Sequence, residues 1–263
     1  MLGGMSPTSA PRPVALVTGP TAGIGLEFAR QLAASGHDLV LVARNETRLN
    51  EVALQLHQDH GAHCEVLVAD LADREQLAQV EARLADPAGP IDLLVNNAGF
   101  GLKERFLVNS VEQEQMLLDV LVTAVMRLSH AALGPMSERG SGAILNVSSV
   151  ADFMPRGTYS AAKAYVTRFS EWAHNEYGPA GVQVMALCPG FIRTEFHERM
   201  EVGQDTVPSY LWLESPDLVT AALADLAAGK AISVPSLRYK AIVAGAKYVP
   251  TGLLQRLQKL GRD

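Results

Sequence analysis

A tyrosine and a lysine four positions apart, Tyr159 and Lys163, are the residues of this chain whose types and spacing could perform acid–base chemistry. On a helix, positions i and i+4 lie on one face, so the phenol and the ammonium can share a pocket. A free tyrosine has a pKa near ~10, and a fixed cation beside it is expected to lower that pKa towards the range of efficient proton transfer. Ser148 and Ser149 lie shortly upstream, and a serine hydroxyl can hold a substrate oxygen against the phenol. The same spacing occurs on ordinary surface helices, so the pair needs support from the rest of the chain.

The elements that must position these residues alternate regularly along the chain. Apolar runs predict strands at residues 14–17, 39–43, 66–69, 91–95, 143–147, 182–187 and 232–234. Helical periodicity predicts helices at residues 26–34, 46–58, 73–84, 110–136 and 216–228, and another that carries Tyr159 and Lys163 and runs to about 177. This alternation predicts an α/β fold: a single Rossmann-type, doubly wound parallel sheet of about seven strands with helices on both faces. We divide the chain into a flexible leader (1–12), one domain (13–235) and a C-terminal helical extension (236–263).

Composition excludes several classes of function. The 263 residues are 48% hydrophobic and 19% charged, which is typical of a globular protein with a large core. The net charge of −6 gives no basic surface for nucleic acid. We see neither a signal peptide nor an apolar run approaching the ~20 residues that span a bilayer. The two cysteines, Cys64 and Cys188, lie in apolar runs as reduced core residues would, and the seven histidines lack metal-ligand spacing, so we expect a cytoplasmic protein without a metal site.

A glycine-rich loop, Thr18 to Gly25, joins the first predicted strand to the first predicted helix. Glycines allow the backbone to turn tightly and to approach a pyrophosphate, whose charge is stabilised at the helix N-terminus. The spacing is Gly-x-x-x-Gly-x-Gly rather than the commoner Gly-x-Gly-x-x-Gly, and structural turns use glycine too. Its place between strand and helix favours dinucleotide binding.

The residues after the second predicted strand indicate which dinucleotide is bound. An NAD site has an acid there to hold the ribose 2′-hydroxyl, whereas an arginine accommodates a 2′-phosphate. This chain has Arg44 and no acid before Glu46. Although Arg44 could be an ordinary solvated loop residue, we predict NADP (NADPH) as the preferred cofactor, with NAD as the alternative.

With these pieces assembled, the sequence over about residues 13 to 235 resembles the short-chain dehydrogenase/reductase family. Six motifs in the family's order carry the resemblance: Thr18-Gly19-x-x-x-Gly23-x-Gly25, Asp70 after the third strand, Asn96-Asn97-Ala98-Gly99, Ser148-Ser149, Tyr159-x-x-x-Lys163 and Pro189-Gly190-x-x-Thr194. Within the family, Ser-Ser-Val-Ala and the extended tail are most similar to hydroxysteroid and long-chain 3-oxoacyl reductases.

The resemblance implies a role for each motif. Tyr159 would be the general acid/base, Lys163 would bind the nicotinamide ribose and lower the tyrosine pKa, and Ser149 would position the substrate oxygen. Asp70 would face the adenine, and Thr194 the nicotinamide carboxamide. The implied cofactor-binding residues are Gly19, Thr21, Ala22, Gly23, Ile24, Gly25, Arg44, Asp70, Leu71, Asn97, Ala98, Gly99, Tyr159, Lys163, Pro189, Gly190, Ile192 and Thr194.

The chain departs from the family pattern at two places. Leu121 stands where the family usually has an asparagine associated with a water of the proton relay, and a leucine side chain cannot hydrogen-bond. Tyr159 follows Ser149 by ten positions, about three fewer than is usual, so Met154 to Thr158 must form a tighter loop. The shorter loop leaves both Ser148 and Ser149 as candidates to face the substrate, and we choose Ser149.

Two further features bear on substrate and partners. Five apolar residues follow strands or lie in the variable segment after Phe191, and either a shared substrate pocket or ordinary packing explains them: Phe100, Phe153, Met154, Phe191 and Trp212. The tail 253–262 is amphipathic. We interpret it as a helix that packs on its own domain or on the mate in a homodimer or homotetramer, with membrane contact as the minority alternative.

We therefore expect an NADP-preferring oxidoreductase that interconverts a carbonyl and a secondary alcohol on a fairly apolar small molecule. Leu121 motivates a rival hypothesis, a dinucleotide-binding regulatory or scaffold protein with little turnover. A sugar-nucleotide epimerase or dehydratase is a third hypothesis, although it would normally need a longer substrate domain.

Overall fold

The central strands of the main sheet contain short apolar runs that become buried on both of its faces. The structure, a computed structural model, describes residues 11–153, 157–192 and 209–246. Its strands are β1 Val14–Thr18, β2 Asp38–Ala43, β3 Cys64–Val68, β4 Leu93–Asn96, β5 Gly142–Val147, β6 Val182–Leu187, β7 Phe191–Ile192, β8 Trp212–Leu213 and β9 Ile232–Ser233.

The main sheet within these residues has the order β3-β2-β1-β4-β5-β6-β9, and every pairing in it is parallel. The order reverses between β1 and β4, where the carboxyl ends of neighbouring strands diverge and a crevice opens for a ligand. Strands β7 and β8 form a separate two-stranded ladder after β6. The predicted α/β fold with a doubly wound parallel sheet is confirmed.

Helices cover both faces of the sheet. They are α1 Gly23–Ala34, α2 Glu46–His60, α3 Arg74–Ala85, α4 Val111–Leu118, α5 Val125–Arg139, α6 Gly157–Tyr177, α7 Ser215–Ala227 and α8 Leu237–Ala246. One core lies between the sheet and α1, α2 and α7, and includes Phe28, Leu49 and Val219. The other lies between the sheet and α3 and α5, and includes Leu77 and Leu128.

Sequence-encoded caps begin several of these helices. The Asn45 side chain accepts from the Arg48 amide at the start of α2, and Asp73 accepts from the amides of Glu75 and Gln76 at the start of α3. Ser110 and Gln113 form a reciprocal capping box at α4. Such caps satisfy amides that the first helical turn leaves unpaired, and each contributes about 1 kcal/mol.

A π-helical turn, Asp119–Ala124, joins α4 to α5, so Val111–Arg139 is one continuous helix. Among the described residues it is the one helix with the length and composition to cross a membrane. The sequence analysis predicted a helix at 110–136 and no apolar run approaching the ~20 residues that span a bilayer, so this helix extends further and is more apolar than predicted. Half of its most apolar window is buried in the protein, where α5 packs against α3 and the π turn against α6, so it is a core helix.

The beginning of the domain is fixed by Arg12, a residue that the sequence analysis assigned to a flexible leader. Its guanidinium donates to the carbonyls of Ala33, Gly36 and His37 after α1 and to that of Gly61 after α2. It also pairs with Asp38 at 3.2 Å. One cation thus satisfies the carboxyl ends of two helices, where a positive charge is favoured. Residues 1–10 and the tail after Ala246 lie outside the described residues.

Candidate active site

The glycine loop at the carboxyl end of β1 has the shape of an anion cradle. Gly19 and Gly23 have φ of 68° and 54°, which favour glycine over other residues. A Cβ on Gly25 would lie 2.2 Å from the Gly19 carbonyl oxygen, so this position excludes any side chain. Ala22 is the N-cap residue of α1, and within the described residues no side chain caps that helix. The first amides of α1 therefore remain for a ligand, and a dinucleotide pyrophosphate fits this cradle.

Thr18 and Asn97 hold the cradle to the end of β4. The Thr18 hydroxyl accepts from the amides of Asn97 and Ala98, both at 3.0 Å. The Asn97 side chain donates to the carbonyls of Thr18 at 2.9 Å and Gly19 at 3.2 Å. These four contacts lock β1 and β4 together at the point where the strand order reverses, which gives the crevice a rigid floor.

The far end of the crevice carries Arg44, Asp70 and Leu71. The exposed Arg44 lies 3.7 Å from the Asp70 carboxylate, a weak surface pair that leaves the guanidinium accessible. Asp70 also accepts from the Ala72 amide, which orients its side chain, while Leu71 is buried in the core. Arg48, which the sequence analysis did not select, donates to the Thr21 carbonyl at 3.3 Å and so brings a second cation to the loop.

Helix α6 brings Tyr159 and Lys163 to one place on its inner face. Lys163 is 5% exposed, and its Nζ donates to the Val147 carbonyl at 2.8 Å. The same Nζ lies 5.7 Å from the centroid of the Tyr159 ring, within cation–π range. Burial lowers the pKa of Lys163 from 10.5 to about 8, so its charge is costly where it stands.

The two serines after β5 face different surroundings. The Ser148 hydroxyl is buried, where it donates to the Lys163 carbonyl at 2.8 Å and bonds the Thr167 hydroxyl at 2.7 Å. The Ser149 hydroxyl instead bonds the Tyr159 hydroxyl and accepts from the Ala151 amide at 3.1 Å. Ser149 is thus the serine at the phenol, while Ser148 fastens α6 to the end of β5.

The pKa of Tyr159 moves opposite to the direction that the sequence analysis inferred from Lys163. Burial raises it from 10 to about 12, and the hydrogen bond with Ser149 opposes the shift only in part. The Lys163 ammonium is engaged by the Val147 carbonyl and is itself desolvated. Burial therefore outweighs the nearby cation, and the phenol keeps its proton at neutral pH.

Comparison with known proteins shows to which family the chain belongs. Residues 13–205 match the family model for short chain dehydrogenase. The chain belongs to the short-chain dehydrogenase family. A very-long-chain 3-oxoacyl-CoA reductase of Anas platyrhynchos is 33% identical over 188 residues, which cover 69% of this chain and 60% of that protein.

Two solved structures are similar to this short-chain dehydrogenase in both sequence and fold. A short-chain dehydrogenase from Sphingobium yanoikuyae, in complex with NADPH, is 36% identical with a TM-score of 0.83, covering 92% of this chain and 95% of that one. The bulky-bulky ketone specific alcohol dehydrogenase from Comamonas testosteroni is 31% identical with a TM-score of 0.78, covering 92% and 94%.

Leu121, the departure from the family pattern, lies in the π-helical turn of this short-chain dehydrogenase and is buried. Its side chain packs against Gly99, where an added Cβ would lie 2.9 Å from a Leu121 methyl and 4.0 Å from Lys163 Nζ. It joins Leu117 and Ala162 in an apolar cluster that also contacts Tyr159. The wall of the site beside the phenol and the ammonium is therefore hydrocarbon.

The five apolar residues considered for a shared pocket do not form one group. Phe100 packs, as Tyr159 does, against the cluster that contains Leu121, whereas Phe153 and Phe191 belong to a second cluster around Tyr239. Trp212 lies against Phe191, with ring centroids 5.7 Å apart. Met154 and Thr194 lie outside the described residues.

The remaining predicted residues close the site at the end of β6. The Pro189 carbonyl accepts from the Val150 amide at 3.0 Å, which ties this strand end to the turn after Ser149. Gly190 lies against the Tyr239 ring, and Ile192 is buried in β7. The sequence analysis missed Tyr239 because its hydrogen-bond partners, Phe191 and Leu211, lie 48 and 28 positions away along the chain.

Proposed function

We propose that this chain is an NADP-preferring oxidoreductase that interconverts a carbonyl and a secondary alcohol on an apolar small molecule. The observation that carries the proposal is the convergence of Ser149, Tyr159 and Lys163 beside the cradle between β1 and β4. A proton donor, an oxygen-binding hydroxyl and a buried cation at the edge of a dinucleotide crevice are the groups that carbonyl reduction needs.

Each residue has a defined task in this proposal. Ser149 donates a hydrogen bond to the substrate oxygen and holds it beside the phenol. Tyr159 gives its proton to that oxygen during reduction and takes it back during oxidation. When bound, the nicotinamide supplies or accepts the hydride at the substrate carbon. Lys163 binds the nicotinamide ribose and stabilises the phenolate while the proton is away, which matters because burial alone raises the pKa of Tyr159 to about 12.

NADP is favoured by the charges at the far end of the crevice. Arg44 follows β2 and lies beside Asp70, and Arg48 in α2 donates to the Thr21 carbonyl of the loop. The chain has no acid after β2 before Glu46. Arginines at this place accommodate a 2′-phosphate, whereas an acid would repel it. The solved relative with bound NADPH supports the same choice. We assign the pyrophosphate to Gly19, Thr21, Ala22, Gly23, Ile24 and Gly25, and the adenine side to Asp70 and Leu71.

An apolar substrate is favoured by the hydrocarbon around the phenol. Leu121 belongs to the buried cluster against which Tyr159 and Phe100 both pack, and neither Leu121 nor Phe100 offers a hydrogen bond from its side chain. A polyhydroxylated substrate would leave its hydroxyls unpaired against this wall, at a cost of about 1–3 kcal/mol each.

We also propose a cytoplasmic homo-oligomer. Cys64 and Cys188 are both free thiols, as a reducing compartment requires. The outer face of α6 carries the stacked rings of Tyr165 and Phe169 followed by Trp172, which is half exposed. A second copy of the chain would bury this aromatic face, and sedimentation of the purified protein at micromolar concentration tests the association.

The proposed activity is tested by binding and turnover together. NADPH and NADH are titrated by nucleotide fluorescence, and a panel of bulky ketones, 3-oxoacyl thioesters and sugars is then assayed with each cofactor. We expect tighter binding of NADPH and turnover of the apolar ketones. Equal affinities would refute the NADP preference, and tight NADPH binding without turnover of any compound would favour the regulatory or scaffold hypothesis.

A further inference from the structure

Tyr239 joins two distant parts of the backbone next to the candidate site. It lies in α8 and is 3% exposed. Its hydroxyl accepts from the Phe191 amide at 3.0 Å and donates to the Leu211 carbonyl at 2.7 Å. Both hydrogen-bonding capacities of the phenol are thus used, and burial raises the pKa of Tyr239, so the hydroxyl stays protonated as a donor.

These two bonds reinforce a short ladder. Strands β7 and β8 pair at only two positions, Phe191 with Trp212 and Ile192 with Leu213. Two residue pairs form a weak ladder by themselves. The Tyr239 hydroxyl bonds Phe191 in β7 and Leu211, the residue before β8, and so connects the two strands beside their first pair. The ring packs in the cluster that contains Phe191 and Leu211.

The Tyr239 ring also explains the glycine at position 190. A Cβ there would lie 2.0 Å from the ring, so no larger residue fits while the tyrosine is in place. Gly190 shows no left-handed conformation, and close approach is therefore the reason for the glycine. The ring thus fixes the backbone of Gly190 in position.

The same strand end is bonded to the turn that carries Ser149. The Pro189 carbonyl accepts from the Val150 amide, and Val150 and Phe153 pack in the cluster that contains Tyr239. A continuous set of contacts therefore runs from α8 through Gly190 and Pro189 to the residue after Ser149.

We propose that Tyr239 is a positioning residue that fixes Pro189, Gly190 and Phe191 for the nicotinamide half of the cofactor and aligns the turn after Ser149. The inference rests on the proposed function, and it adds to it that this strand end, whose Pro189 and Gly190 the family resemblance assigns to the cofactor, faces the nicotinamide. It also assigns a task to the C-terminal helix α8, which lies beyond residues 13–205 that match the family model.

The binding test compares two probes, NADPH and 2′,5′-ADP, which lacks the nicotinamide half. Tyr239→Phe keeps the ring against Gly190 and removes both hydrogen bonds. We expect its Kd for NADPH to rise about fivefold or more, while its Kd for 2′,5′-ADP stays within about twofold of the parent. Tyr177→Phe is the matched control, since it removes a hydroxyl at the far end of α6, and both of its Kd values should equal those of the parent.

Two binding results would overturn the proposal. An equal loss for both probes would mean a general structural role for Tyr239, and no loss for either would mean that the hydroxyl does not position the strand end. Gly190→Ala, which displaces the ring, serves as a second variant if Tyr239→Phe folds poorly. Because Gly190 is itself assigned to the cofactor, this variant is read by exchange of the Val150 amide in the ligand-free protein, which should be about tenfold faster than in the parent.

Hydrogen exchange separates this inference from the proposed function. In the ligand-free Tyr239→Phe protein, the amides of Phe191 and Val150 should both exchange about tenfold faster than in the parent, because both belong to the contacts that Tyr239 holds. Faster exchange at Phe191 alone would overturn the alignment of the Ser149 turn. If the parent failed to bind NADPH at all, the proposed function would be wrong, while exchange at Val150 would still decide whether Tyr239 positions the turn.

Discussion

Replacement of the buried lysine should make the ligand-free protein more stable while it abolishes the activity. Lys163 is 5% exposed, and burial lowers its pKa from 10.5 to about 8. At about 1.4 kcal/mol per pH unit, this displacement corresponds to a destabilisation of about 3 kcal/mol whenever the lysine is charged. Lys163→Met removes that cost and leaves the Val147 carbonyl without its donor, which costs about 1 kcal/mol. The variant should therefore be about 2 kcal/mol more stable at pH 7.

The direction of the pKa shift of Lys163 determines how the stability difference between parent and variant changes with pH. The folded-state pKa is lower than the unfolded one, so the folded protein binds fewer protons between pH 8 and 10.5. The stability of the parent should therefore rise relative to the variant by about 1.4 kcal/mol per pH unit above pH 8. Urea unfolding at pH 7, 8, 9 and 10 measures both proteins, with the exposed Lys240→Met as the control. A Lys163→Met protein that is less stable than the parent at pH 7, or a gap that does not narrow above pH 8, would refute this reasoning.

Three further substitutions test separate parts of the account. Arg44→Asp should weaken NADPH relative to NADH and reverse or erase the preference, as measured by fluorescence titration; an unchanged ratio would remove Arg44 from the cofactor site. Burial raises the pKa of Asp152 from 3.8 to about 6, so the charged carboxylate lowers the stability of the folded protein above pH 6. Asp152→Asn should therefore raise the unfolding free energy by about 1 kcal/mol at pH 8, after allowance for solvent screening, and should leave it unchanged at pH 4, as measured by urea unfolding. Leu121→Asn buries an amide in hydrocarbon, so it should lower the unfolding free energy by about 1–3 kcal/mol and change the single-turnover rate less than about tenfold. A large gain in rate would instead favour the regulatory or scaffold hypothesis.

Local features of the sequence were sufficient to predict the sheet and the place of the cradle. Strands β1 and β2 contain the apolar runs 14–17 and 39–43, and burial on both faces of a parallel sheet requires that pattern. Helical spacing predicted that Tyr159 and Lys163 lie on one face, whereas their role depended on the other motifs of the chain. Gly25 was predicted from its place in the glycine loop, and the structure gives the physical reason, since a side chain there would meet the Gly19 carbonyl.

Long-range contacts and balances of opposing effects could not be predicted in this way. Arg12 appeared to be part of a leader because its acceptors are carbonyls that only the folded helix ends bring together. The contact of Tyr239 with Gly190 depends on how α8 docks, which periodicity does not specify. The pKa of Tyr159 is raised by burial and lowered by a nearby cation, so it depends on how deeply the phenol is buried and how far it lies from Lys163. The sequence spacing specifies neither quantity.

The central claim, that Tyr159 is the proton donor, is tested most directly by kcat of Tyr159→Phe with a ketone that the parent reduces. The substitution keeps the ring in its cluster with Leu121 and removes the hydroxyl that bonds Ser149. Folding and the Kd for NADPH should be unchanged, while kcat should fall by on the order of 10²–10⁴, the usual contribution of general acid–base catalysis. A folded Tyr159→Phe protein whose kcat stays within about threefold of the parent, far short of that loss, would contradict the claim.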